Sequence, residues 1–467
     1  MNRRKFFRNG SLAAIGATVL SPFSTSAKSV DKNKKAKNII VLVSDGMSTG
    51  TLNMADLYKY RKTGVRSNWI KLYEENRVSR ALMETASASS IVTDSAAAGS
   101  SWGSGFRVNN RSLNVGVNGE MYLPIWQKFK KAGKMAGCVT TVTITHATPA
   151  GFCVNSKSRY GQDEIAEQYL EKGFDVMMGG GQLHFDSTKR ADKKDMYYAY
   201  NNKGYQVVRT RNEMFSASNN APILGVFADD VLPFAIDREN DAVLKKTTPS
   251  LAEMTQKAID RMKSHPQGFV LQVEAGKVDY AAHANDIAGL LYDQLAFDDA
   301  VKVAIDFAEK DENTFVIITT DHGNANPGLI YGKNADANFD RLQKFRHTNE
   351  WILNEIKPTD SEARVRELIE SENNWTPTEQ EAKILLDYYN GLEKEDGGLY
   401  NYKKLPYETF ANMQKKHTSV GWISMDHSAD HVELAMFGPG SELLKPFIKN
   451  TDLHYLMLAA AEVENKF

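Results

Sequence analysis

The chain has 467 residues but only two cysteines and 13 prolines. Two cysteines cannot build a disulfide scaffold. Low proline and an ordinary 32 glycines exclude collagenous and low-complexity chains. Charge of one sign is missing too, since 57 Lys plus Arg face 58 Asp plus Glu. Nucleic-acid binders carry a basic excess, so no such partner is expected. Nor is there an apolar run of the roughly 20 residues that span a bilayer. What is present, 42% hydrophobic and 25% charged residues, is the composition of a globular protein. The length fits two or three domains, or one large α/β domain with insertions.

The first 27 residues read as an export signal. Arg3, Arg4, Lys5 and Arg8 form a basic start, Gly10 to Leu20 a short apolar stretch, and Thr25-Ser26-Ala27 a small-residue cleavage site. Arg3-Arg4 followed by Lys5-Phe6-Phe7 is similar to a twin-arginine signal. The mature protein is therefore expected to be periplasmic or extracellular. Residues 28–37 are Lys-rich and read as a flexible leader. Cys138 and Cys153, 15 positions apart, can pair or remain free.

From Asn38 the pattern changes. Asn38–Val43 is a continuous apolar run, as expected of a strand buried on both faces. It ends at Ser44-Asp45-Gly46. Ala136–Ile144 ends at Thr145-His146, Gly268–Val273 at Glu274, and Thr314–Thr319 at Thr320-Asp321-His322. Val432–Phe437 follows His427, and Ile287–Ala308 reads as a helix. Strands alternating with helices predict an α/β fold, a central mostly parallel sheet flanked by helices on both faces. Such sheets bind ligands beyond their C-terminal strand edge, which is where the polar residues fall. The polar, aromatic-spotted stretch 324–416 reads as a helical insertion before the His427 segment.

Asp45, Glu274, Asp279, His283, Asp321, His322 and His427 stand at or near these strand ends. Asp279 and His283 would share one helix face. Carboxylates with imidazoles suit Zn²⁺, and Glu274 with Thr148 suits a harder ion such as Mg²⁺. A lone D-x-x-x-H is usually a surface pair; several such pieces at predicted strand ends point to a metal centre. Ser95 opens an Ala-rich helix after Asp94. The commoner role for either is an N-cap, but a hydroxyl there also faces the positive helix end, where phosphate binds. A serine needs a base or a metal to act as nucleophile. No G-x-S-x-G elbow surrounds it.

The set D-G-M, V-T-D-S-A-A-A-G, T-H-A-T-P-A, E-A-G-K-V-D-x-x-x-H, T-T-D-H-G and H-S-A-D-H…G-P-G resembles the alkaline phosphatase family, in the family's order from Asn38 to about Pro439. The resemblance implies hydrolysis of small phosphate monoesters through a phosphoserine at Ser95, with two zinc ions and one magnesium. Asp321 and His322 match ligands of the zinc that activates the serine, and Asp45 the carboxylate shared with magnesium. Asp279 and His283 match ligands of the second zinc, completed by His427 rather than His431, because His427 lies 11 positions before Gly438. Glu274 and Thr148 match magnesium ligands. His146 matches a histidine that stands behind the ligands, and Arg159 the arginine that clamps phosphate, oriented by Asp94. Tyr280 departs from the family pattern, which has Lys, His or Trp there, so it bears on phosphate affinity. A homodimer is also implied. A phosphodiesterase commonly has a Thr nucleophile and no magnesium set. A non-catalytic phosphate- or metal-binding exported protein would lack a ligand or nucleophile, and all are present.

Overall fold

A computed structural model describes residues 35–395 and 398–465. The expected export signal at 1–27 and most of the leader lie outside the described residues. Ala36 is buried, and its N–H donates to Ala460 O at 2.8 Å. The last residues assigned to the leader are thus bonded to the fold.

The strands are β1 Asn38–Ser44, β2 Ser79–Glu84, β3 Met135–Thr143, β4 Val176–Gly180, β5 Gln206–Val208, β6 Ile223–Val226, β7 Phe269–Ala275 and β8 Thr314–Thr319. Four two-residue pieces follow, β9 Gly323–Asn324, β10 Gly328–Leu329, β11 Val420–Gly421 and β12 His427–Ser428, then β13 Val432–Phe437 and β14 Phe447–Lys449. Ten strands form one sheet in the order β14-β2-β13-β8-β1-β7-β3-β4-β6-β5. β13 pairs antiparallel with both neighbours, and every other pairing in this sheet is parallel.

At the centre, β1 pairs with β7 (Leu42 opposite Val273) and with β8 (Leu42 opposite Ile318). All seven β1 residues are buried. Side chains alternate across a strand. Ile39, Val41 and Val43 accordingly join one apolar cluster with Trp102, Trp126 and Phe152, while Ile40 and Leu42 join the cluster on the opposite face. Each fully buried aliphatic side chain contributes about 1.5–3 kcal/mol. Both faces are covered, which is why these strands read as unbroken apolar runs rather than alternating ones.

The insertion supplies the helices Ala335–Arg341, Asn349–Glu355, Glu362–Asn373, Glu379–Tyr388 and Tyr407–Thr418. It leaves after β8 and returns to β13, which lies beside β8 in the sheet. Cys138 and Cys153 are free and buried, with burial pushing both thiol pKa values up. Among the described residues, no helix is long and apolar enough to cross a membrane.

Candidate active site

The central parallel strands deliver their polar residues to one edge. β1 ends at Asp45, β7 carries Glu274, β8 leads to Asp321 and His322, and β3 leads to His146. The single antiparallel strand explains the placement of His427. Because β13 runs the other way, the residues that precede it reach the edge that the other strands reach at their ends. β12 then pairs His427 with Asn324. His431, the competitor by sequence, lies away from the cluster with its ring edge-on to Phe447 at 5.1 Å.

Ser95 begins the helix Ser95–Ser104, every residue of which is buried. Its Oγ lies 3.3 Å from His322 Nε2. Asp94 serves both as cap and as anchor. Oδ1 accepts from Ala97 N at 3.0 Å, while Oδ2 accepts from Arg159 Nη1 and from Arg111 N, each at 3.0 Å. Arg159 Nη2 donates to His146 Nε2 at 3.0 Å. The helix is seated by backbone contact with the helix Ala147–Cys153. A Cβ on Gly103 would fall 1.9 Å from Gly151 O, and one on Gly151 would fall 2.6 Å from Gly99 C.

Three groups of side chains bring ligand atoms within 4.8 Å of one another: Asp279, His283 and His427; Asp45, Asp321 and His322; and Asp45, His146 and Glu274. Asp45 is shared by the last two. Thr148 Oγ1 donates to Asp45 Oδ2 at 3.2 Å, and Thr140 Oγ1 donates to Glu274 Oε2 at 2.5 Å. His146, expected behind the ligands, has its Nδ1 3.9 Å from Glu274 Oε1. Because its Nε2 accepts from Arg159, Nδ1 carries the ring proton and faces the Glu274 carboxylate. His283 Nδ1 lies 2.6 Å from Met425 O and His427 Nδ1 lies 3.0 Å from Thr93 O, which turns both Nε2 atoms inward to 3.1 Å from each other. Tyr280 is half-exposed, its ring 6.3 Å from that of His146. Burial, followed by Asp230, holds its phenol protonated.

These groups fit divalent cations. Asp45 Oδ1, Glu274 Oε1, Asp321 Oδ2 and His146 Nδ1 are all buried without a hydrogen-bond partner. Buried polar atoms are normally paired, and unpaired carboxylates at this density repel one another. Burial, then Asp321, Asp279 and Glu274, push the Asp45 pKa well up. Burial and Asp279 push Asp321 up to about 7. Asp279 goes the other way: burial raises it, but His283, His427 and His322 together hold it well below the usual range. Burial, then His427, depress His322. Oxygen donors with imidazoles suit zinc; the group with Glu274 and Thr148 offers mainly oxygens and suits magnesium.

Sequence reasoning missed Asn324. It is fully buried, and its Nδ2 donates to Asp279 Oδ1 at 2.7 Å. Assigned to the start of the insertion, it belongs to the site edge. Its position two residues after His322 was the available signal, since alternate residues of an extended segment share a side.

Residues 36–463 match the family described as alkaline phosphatase. Alkaline phosphatase 4 of Bacillus subtilis is 32% identical over 453 residues, covering 94% of this chain and 91% of its own. Alkaline phosphatase 3 of the same organism is 29% identical, covering 95% and 94%. The crystal structure of the Thermus thermophilus alkaline phosphatase superposes with a TM-score of 0.85 at 32% identity, covering 96% of this chain and 97% of its own. Fold, edge and sequence thus agree on a metal-dependent hydrolase of phosphate esters. The chain belongs to the alkaline phosphatase family and is a phosphoric monoester hydrolase.

Proposed function

We propose that Ser95 is the nucleophile, that the reaction passes through a phosphoserine, and that the site takes two zinc ions and one magnesium. The observation that carries this is the placement of Ser95: buried, at a helix N-terminus, 3.3 Å from His322 Nε2 and beside the Asp94-anchored Arg159. Asp321, His322 and Asp45 would hold one zinc, and Asp279, His283 and His427 the other. Asp45, Glu274 and Thr148 would hold the magnesium, with His146 Nδ1 beside them. Bound cations supply the charge that lets a serine hydroxyl ionise, offsets charge on the leaving oxygen and activates water.

The chain's own groups do the aligning. The Ser95 helix presents its first N–H groups to the incoming phosphate. Arg159 offers a planar fork for two phosphate oxygens; burial works against its charge, but Asp94, with Asp45 and Asp279, more than offsets it and keeps the guanidinium charged. Asp94 takes one arm of that fork and His146 meets the other, so the guanidinium is oriented before substrate arrives. A phosphoryl transition state asks for this combination of alignment and spread positive charge. Tyr280 presents a neutral hydroxyl at the rim, so it adds no positive charge to phosphate binding.

The test is turnover of an aryl phosphate monoester by metal-stripped protein, by protein restored with Zn²⁺ and Mg²⁺, and by Ser95→Ala. Restored turnover that the variant loses supports the assignment, and ³²P on Ser95 at acid quench identifies the intermediate. Full zinc occupancy without turnover rejects it. We further propose, from the family resemblance, that the chain is exported through its first 27 residues to the periplasm or beyond and works as a homodimer. Cell fractionation and sedimentation check these two points.

A further inference from the structure

Asn324 is the point where two halves of the site meet. Its side chain holds Asp279, with Nδ2 2.7 Å from Oδ1. Its backbone pairs with His427 in the β9–β12 ladder. Its N–H donates to Ser48 Oγ at 3.0 Å, and that hydroxyl donates back to its carbonyl at 3.1 Å. Two residues earlier stands His322, in contact with Ser95 and 3.2 Å from Asp321 Oδ2. One residue therefore connects Asp279 and His427, of one cation group, to the strand end that carries the other.

Two further details bear on its role. The Asn324 Oδ1 atom is buried without a partner. An unpaired buried amide oxygen disfavours folding, and an apolar residue of the same size would avoid that cost. Gly46, at φ +68°, packs against the same oxygen, where a Cβ would come within 2.3 Å of Oδ1. That oxygen is thus held by the Asn324 amide and closely approached by a bare glycine backbone. The carboxylate oxygens face the two imidazoles, Oδ2 at 3.4 Å from His283 Nε2 and Oδ1 at 3.6 Å from His427 Nε2.

We infer that Asn324 is a positioning residue: it fixes the rotation of the Asp279 carboxylate and so sets the affinity of the Asp279/His283/His427 group for its cation. The inference rests on reading that group as a zinc site. A donor behind a ligating carboxylate orients it for the metal, and losing such a partner typically weakens binding 10–100-fold.

The experiment follows zinc release from the loaded protein to a chromophoric chelator. It compares wild type, His283→Ala and Asn324→Leu, and adds melting of the metal-free forms. His283→Ala identifies which release phase belongs to this group. In Asn324→Leu that phase alone is expected to weaken by about 10–100-fold. The metal-free variant loses both the orphaned oxygen and the donor to the buried Asp279 carboxylate, so its melting shows the effect on the fold separately from the effect on metal affinity. With excess zinc, aryl phosphate turnover should largely return, leaving the defect in metal affinity. An unchanged phase overturns the inference, as does a uniform loss of both phases with a lower metal-free melting temperature. If His283→Ala leaves every phase intact, the zinc-site reading itself falls, and the inference with it. Asn324→Ala, which removes the donor without placing a second carboxylate beside Asp279, carries the same test should the leucine variant fold poorly.

Discussion

The Ser95 helix and the helices of the insertion are built on opposite principles. Ser95–Ser104 is composed of Ser, Ala, Gly and one Trp, is buried on all sides, and meets the helix Ala147–Cys153 backbone to backbone at Gly99, Gly103 and Gly151. The insertion helices are amphipathic, with apolar residues turned to the core, and three of the five start at side-chain caps, Thr348, Ser361 and Thr378, the last in a full capping box with Glu381. Side-chain packing tolerates adjustment because rotamers can move. Backbone contact does not adjust. The chain uses the rigid arrangement beneath the serine that must be aimed and the adjustable one where it covers the core.

Four measurements sharpen or break that contrast. The largest effect should come from metal removal, which leaves the buried carboxylates at the strand edge facing one another. At cation concentrations a thousandfold above Kd, loading stabilises a fold by about 4 kcal/mol. Calorimetry with and without chelator should therefore separate by many degrees, and coincident melting curves would refute the carboxylate argument. Next comes Gly103→Ala. Its Cβ has no room beside Gly151 O, so denaturant titration should find a loss of about 3 kcal/mol, together with impaired turnover. A loss below 1 kcal/mol would mean that the helix pair can shift after all.

The third concerns His454, buried against the same helix. Its Nδ1 lies 2.9 Å from Trp102 O and its Nε2 3.0 Å from Lys128 Nζ. Burial, then Lys128, depress its pKa to about 4 from an ordinary 6.5. A folded pKa below the unfolded one means the unfolded chain binds the extra proton first. Stability is therefore full above pH 6.5 and falls as pH drops from 6.5 towards 4, by about 3 kcal/mol at 1.4 per unit. His454→Gln should flatten that part of the curve; an unchanged slope would place the titration elsewhere. The smallest effect belongs to the insertion. Thr378→Ala removes a cap and should cost about 1 kcal/mol with kcat unchanged. A marked loss of turnover would show that the insertion acts on the chemistry as well.

Much of this was legible in the residues. Thr314–Thr319 and Val432–Phe437 are strands with the predicted bounds, and the Asn38 run and the helix from Ile287 extend only slightly beyond their expected ends. Strands buried on both faces announce themselves because nothing polar interrupts them. The outer strands were not seen. β4 (V-M-M-G-G), β5 (Q-V-V) and β6 (I-L-G-V) are too short, and two of them too glycine-rich, to stand out. At the site, motifs pointed to the carboxylates and imidazoles, but the choice of His427 over His431 needed family spacing. The reason for it, one strand running against the rest, appears only in three dimensions. The glycine contacts under Ser95 were equally silent, because a contact between distant backbones leaves no local pattern. Asn324 escaped notice because an amide has none of the chemistry that draws attention to a ligand.

The two buried, unpaired cysteines have a consequence of their own. No covalent cross-link has to form for this sheet to close, and neither thiol is presented to an oxidant or an exchange partner. The native structure is thereby independent of any cross-link, and once folded its thiols stay shielded in a reducing compartment or an oxidising one.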